Sequence, residues 1–224
     1  ASTSALTAMG GVLLFLFVPN GPFRKRSAQL QLSTGFQLFT LVNFRRAAFG
    51  YFGHMWELYA FWAFTPFAIQ SFNQLTGSQV SVPLWTGIVI TLGALSCAVG
   101  GLLSQRYGSK KVAFSALLLS GICCLASPLL FQSNIVLFLI GWCIWGMAVT
   151  ADSPQFSNLV ASSVAAEVKG TALTLVNCIG FAITIASIQL LASLTEELPP
   201  YYCFLVLALG PLIGLWQLSG HKND

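Results

Sequence analysis

Six long apolar runs follow one another along this chain, and short polar segments separate them. The runs are residues 47–70, 82–103, 112–131, 135–150, 170–194 and 201–218. Runs of about 20 residues match a hydrocarbon core about 30 Å thick, because a helix rises about 1.5 Å per residue. Only 7% of the residues are charged, whereas soluble domains carry about 25%. The sequence therefore predicts an all-α, multi-pass integral membrane protein.

The basic residues lie in short clusters between the apolar runs. The loop 19–46 holds five of them and no acid, namely Arg24, Lys25, Arg26, Arg45 and Arg46. Clusters of this kind are topology signals, so we expect no nucleic-acid partner. A second basic loop at 104–111 alternates with uncharged or acidic connections. This alternation predicts a cytoplasmic C-terminus, with the first residues on the outside.

A shorter apolar run precedes the first basic loop. It is too short for a full span, the chain begins without Met, and the positive charges follow the run, whereas a secretory signal carries them in front. We therefore expect a partial transmembrane helix at 1–18, a basic cytoplasmic interdomain loop at 19–46, and a six-helix transmembrane bundle at 47–224. Because transporters built from repeats usually have even numbers of spans, a preceding six-helix bundle of the same chain is the expected partner.

The six cysteines also lie within apolar runs. Their spacing is not that of a metal site or a redox motif, so we interpret them as small core residues. No metal site and no cofactor is predicted. The sequence also lacks a nucleophile–base pair, which argues against an enzyme.

The run 47–70 carries two ionisable residues near its middle, His54 and Glu57. Counted from Arg46, Glu57 lies roughly 16 Å deep, where a carboxylate is costly unless it is protonated, paired or hydrated. The spacing of three puts His54 on the same helix face, with Tyr51 on the same stripe. Two interpretations follow: a proton-carrying site with His54 as the partner of Glu57, or a structural polar pair.

The segment 101–111, GLLSQRYGSKK, resembles the signature loop of the major facilitator superfamily, Gly-x-x-x-Asp-Arg-x-Gly-Arg-Lys-Lys. It matches at Gly101, Arg106, Gly108, Lys110 and Lys111, and differs at Gln105 and Ser109. A loop that merely stays in the cytoplasm would explain the lysines but not Gly101 and Arg106. We expect the glycines at 100, 101 and 108 to allow close helix approach and a tight turn.

Together with the segments GHMWELYAFW and ADSPQFSNLV, the chain is similar to the C-terminal half of bacterial facilitators grouped with nitrate/nitrite and cyanate carriers. The resemblance implies a secondary transporter fragment of the bacterial inner membrane. Such a protein would move a small solute, an organic or inorganic anion, by alternating access with proton coupling.

In that family the seventh span lines the central cavity, which implies a substrate or proton site there. Its expected residues are Tyr51, His54, Glu57, Trp145 and Asn177. For Trp145 the alternative is packing, and for Asn177 it is a hydrogen bond between helices. Asp152 is expected to close a cytoplasmic gate by pairing with Arg106 or a neighbouring base, or else to be a solvated charge at a helix end.

One further class of protein stays open, a seven-helix receptor or sensor. Seven apparent spans with the first residues outside would suit it. The upstream coding sequence separates the two classes. Five further spans with another signature loop would support the transporter, whereas a start codon just upstream would support the receptor.

Overall fold

The computed structural model describes residues 2–18 and 32–220, which belong to two compact units. The first unit contains α1, an apolar helix of 16 residues at Ser2–Phe17. That it is part of a membrane span at 1–18 stays a prediction. The basic residues at 24–26 of the predicted interdomain loop lie outside the described residues.

The described part of the second unit consists of helices and turns, without a strand. The helices are α2 (Leu32–Gln37), α3 (Val42–Thr76), α4 (Val82–Tyr107), α5 (Ser109–Phe131), α6 (Ile135–Ala151), α7 (Ser153–Ser162), α8 (Lys169–Glu197), α9 (Pro200–Cys203) and α10 (Leu209–Ser219). Short 3₁₀ turns at Leu38–Thr40, Ala166–Val168 and Phe204–Ala208 connect them. The all-α class is confirmed.

Among the described residues, five helical stretches are long and apolar enough to cross a membrane. They are Val82–Tyr107, Ser109–Phe131, Ile135–Ser162, Ala166–Glu197 and Pro200–Ser219. The sixth long helix, α3, has 35 residues and a length of about 52 Å. Its hydropathy is lower because it carries His54 and Glu57. It nevertheless packs chiefly against α8 and α10 and also contacts α4, α6 and α7. That α3 spans the membrane stays a prediction.

Two helix boundaries differ from the sequence prediction. Helix α3 begins at Val42, because Leu41 has extended backbone angles, and Arg45 therefore lies in its first turn. There Arg45 Nη1 donates to the carbonyl oxygen of Phe39 at 3.2 Å. Helix α6 is followed after a single turn residue, Asp152, by α7, whose first turn contains Pro154. Proline fits that position because its missing N–H would have no helical partner.

The apolar core has two parts with a polar layer where they meet. One part includes Phe61, Trp142 and Phe204, and the other includes Phe44, Leu117 and Phe156. Helix α3, helix α5 and the α6–α7 stretch each contribute residues to both parts of the core. At the boundary between these two sets, each of them carries fully buried polar residues, namely His54, Glu57, Ser120 and Asp152. Because burying such groups costs free energy, their partners decide what this layer can do.

The turn between α4 and α5 depends on glycine at one position of the signature loop. Gly108 has φ 86° and ψ 144°, a conformation that L side chains rarely adopt. A Cβ at Gly100 would lie 2.9 Å from the carbonyl oxygen of Ala151, so α4 approaches α6 closely there. At Gly101, no atom of the described residues lies within 4 Å of such a Cβ. The expectation of close helix approach at Gly101 was therefore wrong, because this residue lies on another face of α4.

Candidate functional site

Glu57 lies in the polar layer with no exposed surface, and three side chains of two other helices hold its carboxyl group. Ser120 Oγ of α5 is 2.9 Å from Oε2. Cys124 Sγ, one turn along α5, is 3.2 Å from Oε1. Trp145 Nε1 of α6 donates to Oε1 at 2.6 Å. The carboxyl group therefore points into the bundle and not toward lipid.

These contacts determine which oxygen of Glu57 can hold a proton. The indole N–H of Trp145 can only donate, so Oε1 must accept. A proton on the carboxyl group would therefore lie on Oε2, beside Ser120. Ser120 Oγ is also 3.1 Å from the carbonyl oxygen of Leu117. Since a hydroxyl group has one proton, Ser120 can donate to only one of these two acceptors at a time.

Two complete arrangements of hydrogen bonds follow. When Glu57 is ionised, Ser120 donates to Oε2. When Glu57 is protonated, Oε2–H donates to Ser120, which then donates to the carbonyl oxygen of Leu117. Only the hydroxyl hydrogen has to rotate between the two arrangements. The site therefore leaves neither form of Glu57 without partners.

No basic side chain of the described residues lies within ion-pair distance of Glu57. The three groups that hold it are dipoles. Dipoles compensate only part of the cost of burying a full charge. Protonation is thus the direct way in which Glu57 can lose its charge inside the bundle.

His54 and Asp152 form a separate buried pair. His54 Nδ1 is 2.9 Å from Asp152 Oδ1, and both side chains have 0% exposure. This distance is within the range of an ion pair, but the two groups are not aligned for a hydrogen bond. The remaining polar atoms of both side chains have no hydrogen-bond partner among the described residues. A buried ion pair with these orphaned atoms is costly. We therefore regard it as a candidate for function.

This pair changes two expectations for the site. His54 pairs with Asp152 and not with Glu57. Asp152 is fully buried and not solvated, because α7 continues the helical stretch for ten further residues. Arg106, its expected partner, is exposed, and its guanidinium lies 5.4 Å from the ring centroid of Tyr107. A gate formed by Asp152 and Arg106 stays a prediction.

Packing of aromatic side chains fixes the indole of Trp145. Its ring centroid lies 5.0 Å from that of Trp142 and 4.8 Å from that of Phe61. Trp142 is itself held by a hydrogen bond of 3.2 Å from its Nε1 to Thr65 Oγ1. Trp145 thus belongs to the buried core, and its N–H is directed at Glu57.

Tyr51 and Asn177 lie apart from this enclosed cluster. Tyr51 is buried, and its ring packs against Gly180 of α8. A Cβ added to Gly180 would lie 2.7 Å from the Tyr51 ring. Asn177 lies on α8 and is partly exposed. The structure therefore joins Glu57 to Trp145 and places Tyr51 at the boundary between α3 and α8.

Ser120 and Cys124 were not among the predicted site residues. Both belong to α5, an apolar helix, and with Ser127 they recur at intervals of four and three residues. This spacing puts three small polar side chains on one helix face. This polar face on an otherwise apolar helix indicates that α5 packs against a polar partner.

The remaining signature-loop residues lie away from the polar layer. Lys110 and Lys111 are exposed at the start of α5. Beside them, Asn158 Nδ2 of α7 donates to Ser109 Oγ at 2.8 Å. The turn between α4 and α5 is thereby attached to α7.

Comparison with known proteins agrees with this architecture. Residues 47–220 match the Major Facilitator Superfamily. The search of curated proteins found no match. The family match favours a transporter over the receptor and over an enzyme, and it covers all of the long helices from α3 to α10. The chain belongs to the Major Facilitator Superfamily, a family of secondary transporters.

Proposed function

We propose that this chain forms the C-terminal bundle of a proton-coupled transporter and that Glu57 carries the proton. The observation that supports the proposal is the contact of Ser120 with both Glu57 and the carbonyl oxygen of Leu117. It provides a complete set of hydrogen bonds for each form of the carboxyl group. A purely structural acid would need only one such set.

The proposed transport cycle uses alternating access between this bundle and a preceding six-helix bundle of the same chain. Protonation of Glu57 removes an unpaired charge from the bundle interior and so favours one conformation over the other. The contact between His54 and Asp152 joins α3 to the α6–α7 stretch, so a change of conformation could separate the two side chains. In this proposal the protein lies in a bacterial inner membrane. Its C-terminus is cytoplasmic, because the turn between α4 and α5 is basic.

The proposed substrate is a small anion, as the resemblance to nitrate/nitrite and cyanate facilitators implies. Tyr51 and Asn177 would contact it at the boundary between α3 and α8. Glu57 would become accessible to it only when the bundle opens. A carboxylate repels an anion, so protonation of Glu57 would have to precede binding. This order would couple the proton to the solute.

Transport by the full-length protein in proteoliposomes tests the proposal. Nitrate, nitrite, lactate and succinate serve as probes, and a trapped pH dye reports proton movement. Vesicles that are alkaline inside should accumulate at least one of these anions and acidify as they do so, beyond the rate of protein-free vesicles. Uptake that is the same with and without the pH gradient would contradict proton coupling, and no uptake of any probe would contradict anion transport.

Ser120→Ala is expected to slow gradient-driven uptake about tenfold, because a hydrogen bond to a charged group contributes about 1.5–3 kcal/mol. The matched control is Ser127→Ala. Ser127 is also fully buried on α5, but its hydroxyl donates only to the carbonyl oxygen of Cys124, at 2.8 Å. The control should stay within about twofold of the wild-type rate, since a neutral hydrogen bond contributes less. Equal losses in the two variants would mean that Ser120 has only a structural role.

A further inference from the structure

A groove on the side of the second unit is not part of the proposed proton site. It lies between α4 and α5, with α6 as its floor, and has a volume of about 500 Å³. Small residues form the floor, among them Gly100, Ala148 and Ala151, and exposed apolar side chains such as Leu103 and Leu119 form the walls. Because α4 and α5 are long and apolar enough to cross a membrane, this groove would be open to lipid.

The groove has one charged end. Lys111 is the only charged residue among those that line it, and Tyr107 lies beside it. Both residues flank Gly108, where α4 turns into α5. Arg106 and Lys110 belong to the same turn, and no acidic residue lines the groove. The chemistry of the groove is therefore that of an amphiphile with an anionic head and an apolar tail.

The length of the groove fits a lipid of one leaflet. Its lining on α4 extends from Tyr107 back to Ser96, a rise of about 16 Å. Half of a hydrocarbon core of about 30 Å is about 15 Å. Both α4 and α5 are long enough to cross a membrane, so the turn between them lies at one membrane surface. The groove thus runs from that surface to about the bilayer centre.

We propose that this groove binds an anionic phospholipid, with its phosphate at Lys111 and one acyl chain along α4 and α5. Basic pockets between transmembrane helices are suited to anionic headgroups, and a lysine near the surface strengthens that attraction. The neighbouring Lys110 is not among the residues that line the groove. It lines a separate polar cleft with Asn43 and Arg46.

The test uses the full-length protein in detergent, with phosphatidylglycerol or phosphatidylcholine added, and native mass spectrometry to count bound lipid. The wild type should retain phosphatidylglycerol preferentially. Lys111→Ala should weaken its retention about fivefold, whereas Lys110→Ala should leave it unchanged. Equal losses in these two variants, or equal retention of the two lipids by the wild type, would overturn the proposal.

Two further measurements test the acyl chain. Ser115 is exposed and lines the groove, so Ser115→Phe should fill the groove and displace the lipid without changing the charge. A photoreactive benzoylphenylalanine in place of Leu119 should form an adduct with phosphatidylglycerol. Unchanged lipid retention in Ser115→Phe, or a cross-link to polypeptide in place of lipid, would show that the groove holds something else.

Discussion

Glu57→Gln is expected to abolish uptake driven by a pH gradient and to leave the bundle folded. Glutamine has nearly the same volume, and its carbonyl oxygen can accept from Trp145 and Cys124 as Oε1 does. Its amide N–H can donate to Ser120, which then donates to the carbonyl oxygen of Leu117. The variant therefore reproduces the hydrogen bonds of protonated Glu57. It cannot ionise, so it cannot carry a proton through the cycle.

The prediction is checked in proteoliposomes by two assays on the same preparation. Accumulation against a pH gradient should fall to the level of protein-free vesicles, whereas exchange of solute without a gradient should persist. Glu196→Gln is the matched control, because Glu196 is exposed near the end of α8. Gradient-driven accumulation that is equal in both variants would contradict the role of Glu57. Loss of exchange together with accumulation would mean that the change had damaged the bundle.

Gly53→Ala is expected to separate α3 from α10 and to lower stability by about 3 kcal/mol or more. A Cβ at Gly53 would clash with the carbonyl oxygen of Gly210 and would lie 3.1 Å from the backbone nitrogen of Gly214. These obstacles are backbone atoms, which cannot rotate away as a side chain can. Helix association in membranes depends on close packing of this kind. The same strain would act on the polar layer, because His54 follows Gly53 directly.

Thermal unfolding of the purified protein measures this effect. A loss of about 3 kcal/mol corresponds to a decrease in Tm of about 10 °C for a chain of this size. Gly87→Ala is the control, since no atom of the described residues lies within 4 Å of a Cβ at that position in α4. Its Tm should be unchanged or slightly higher, because alanine favours helix over glycine. Equal Tm values for the two variants would show that the helices do not touch at Gly53.

The sequence predicted the helices well because their main signal is local. Apolar runs of membrane-spanning length placed α4, α5 and α8 within a few residues of their observed bounds. The boundaries that differed depend on single residues. Leu41 adopts an extended backbone before α3, and Asp152 is a single turn residue in the helical stretch of α6 and α7.

The sequence could indicate a polar face on α5, but it could not show which buried residue that face meets. Glu57 was expected to be buried, and it has no exposed surface. Its contacts with Ser120 and Trp145 join residues 63 and 88 positions apart. Such pairs depend on the rotation of each helix about its axis, which a uniformly apolar helix does not reveal. The same reason explains why His54 was assigned to Glu57, its neighbour on the same helix face, and not to Asp152.

Infrared difference spectroscopy of the full-length protein in lipid tests the central claim most directly, because it detects a protonated carboxyl group without any substrate. Spectra recorded at low and high pH should differ by the carbonyl band of a carboxylic acid in apolar surroundings. That band should be lost in Glu57→Gln and kept in Ser127→Ala. A band that is unchanged by Glu57→Gln would show that the proton resides elsewhere, and it would contradict the account of Glu57 as the proton carrier.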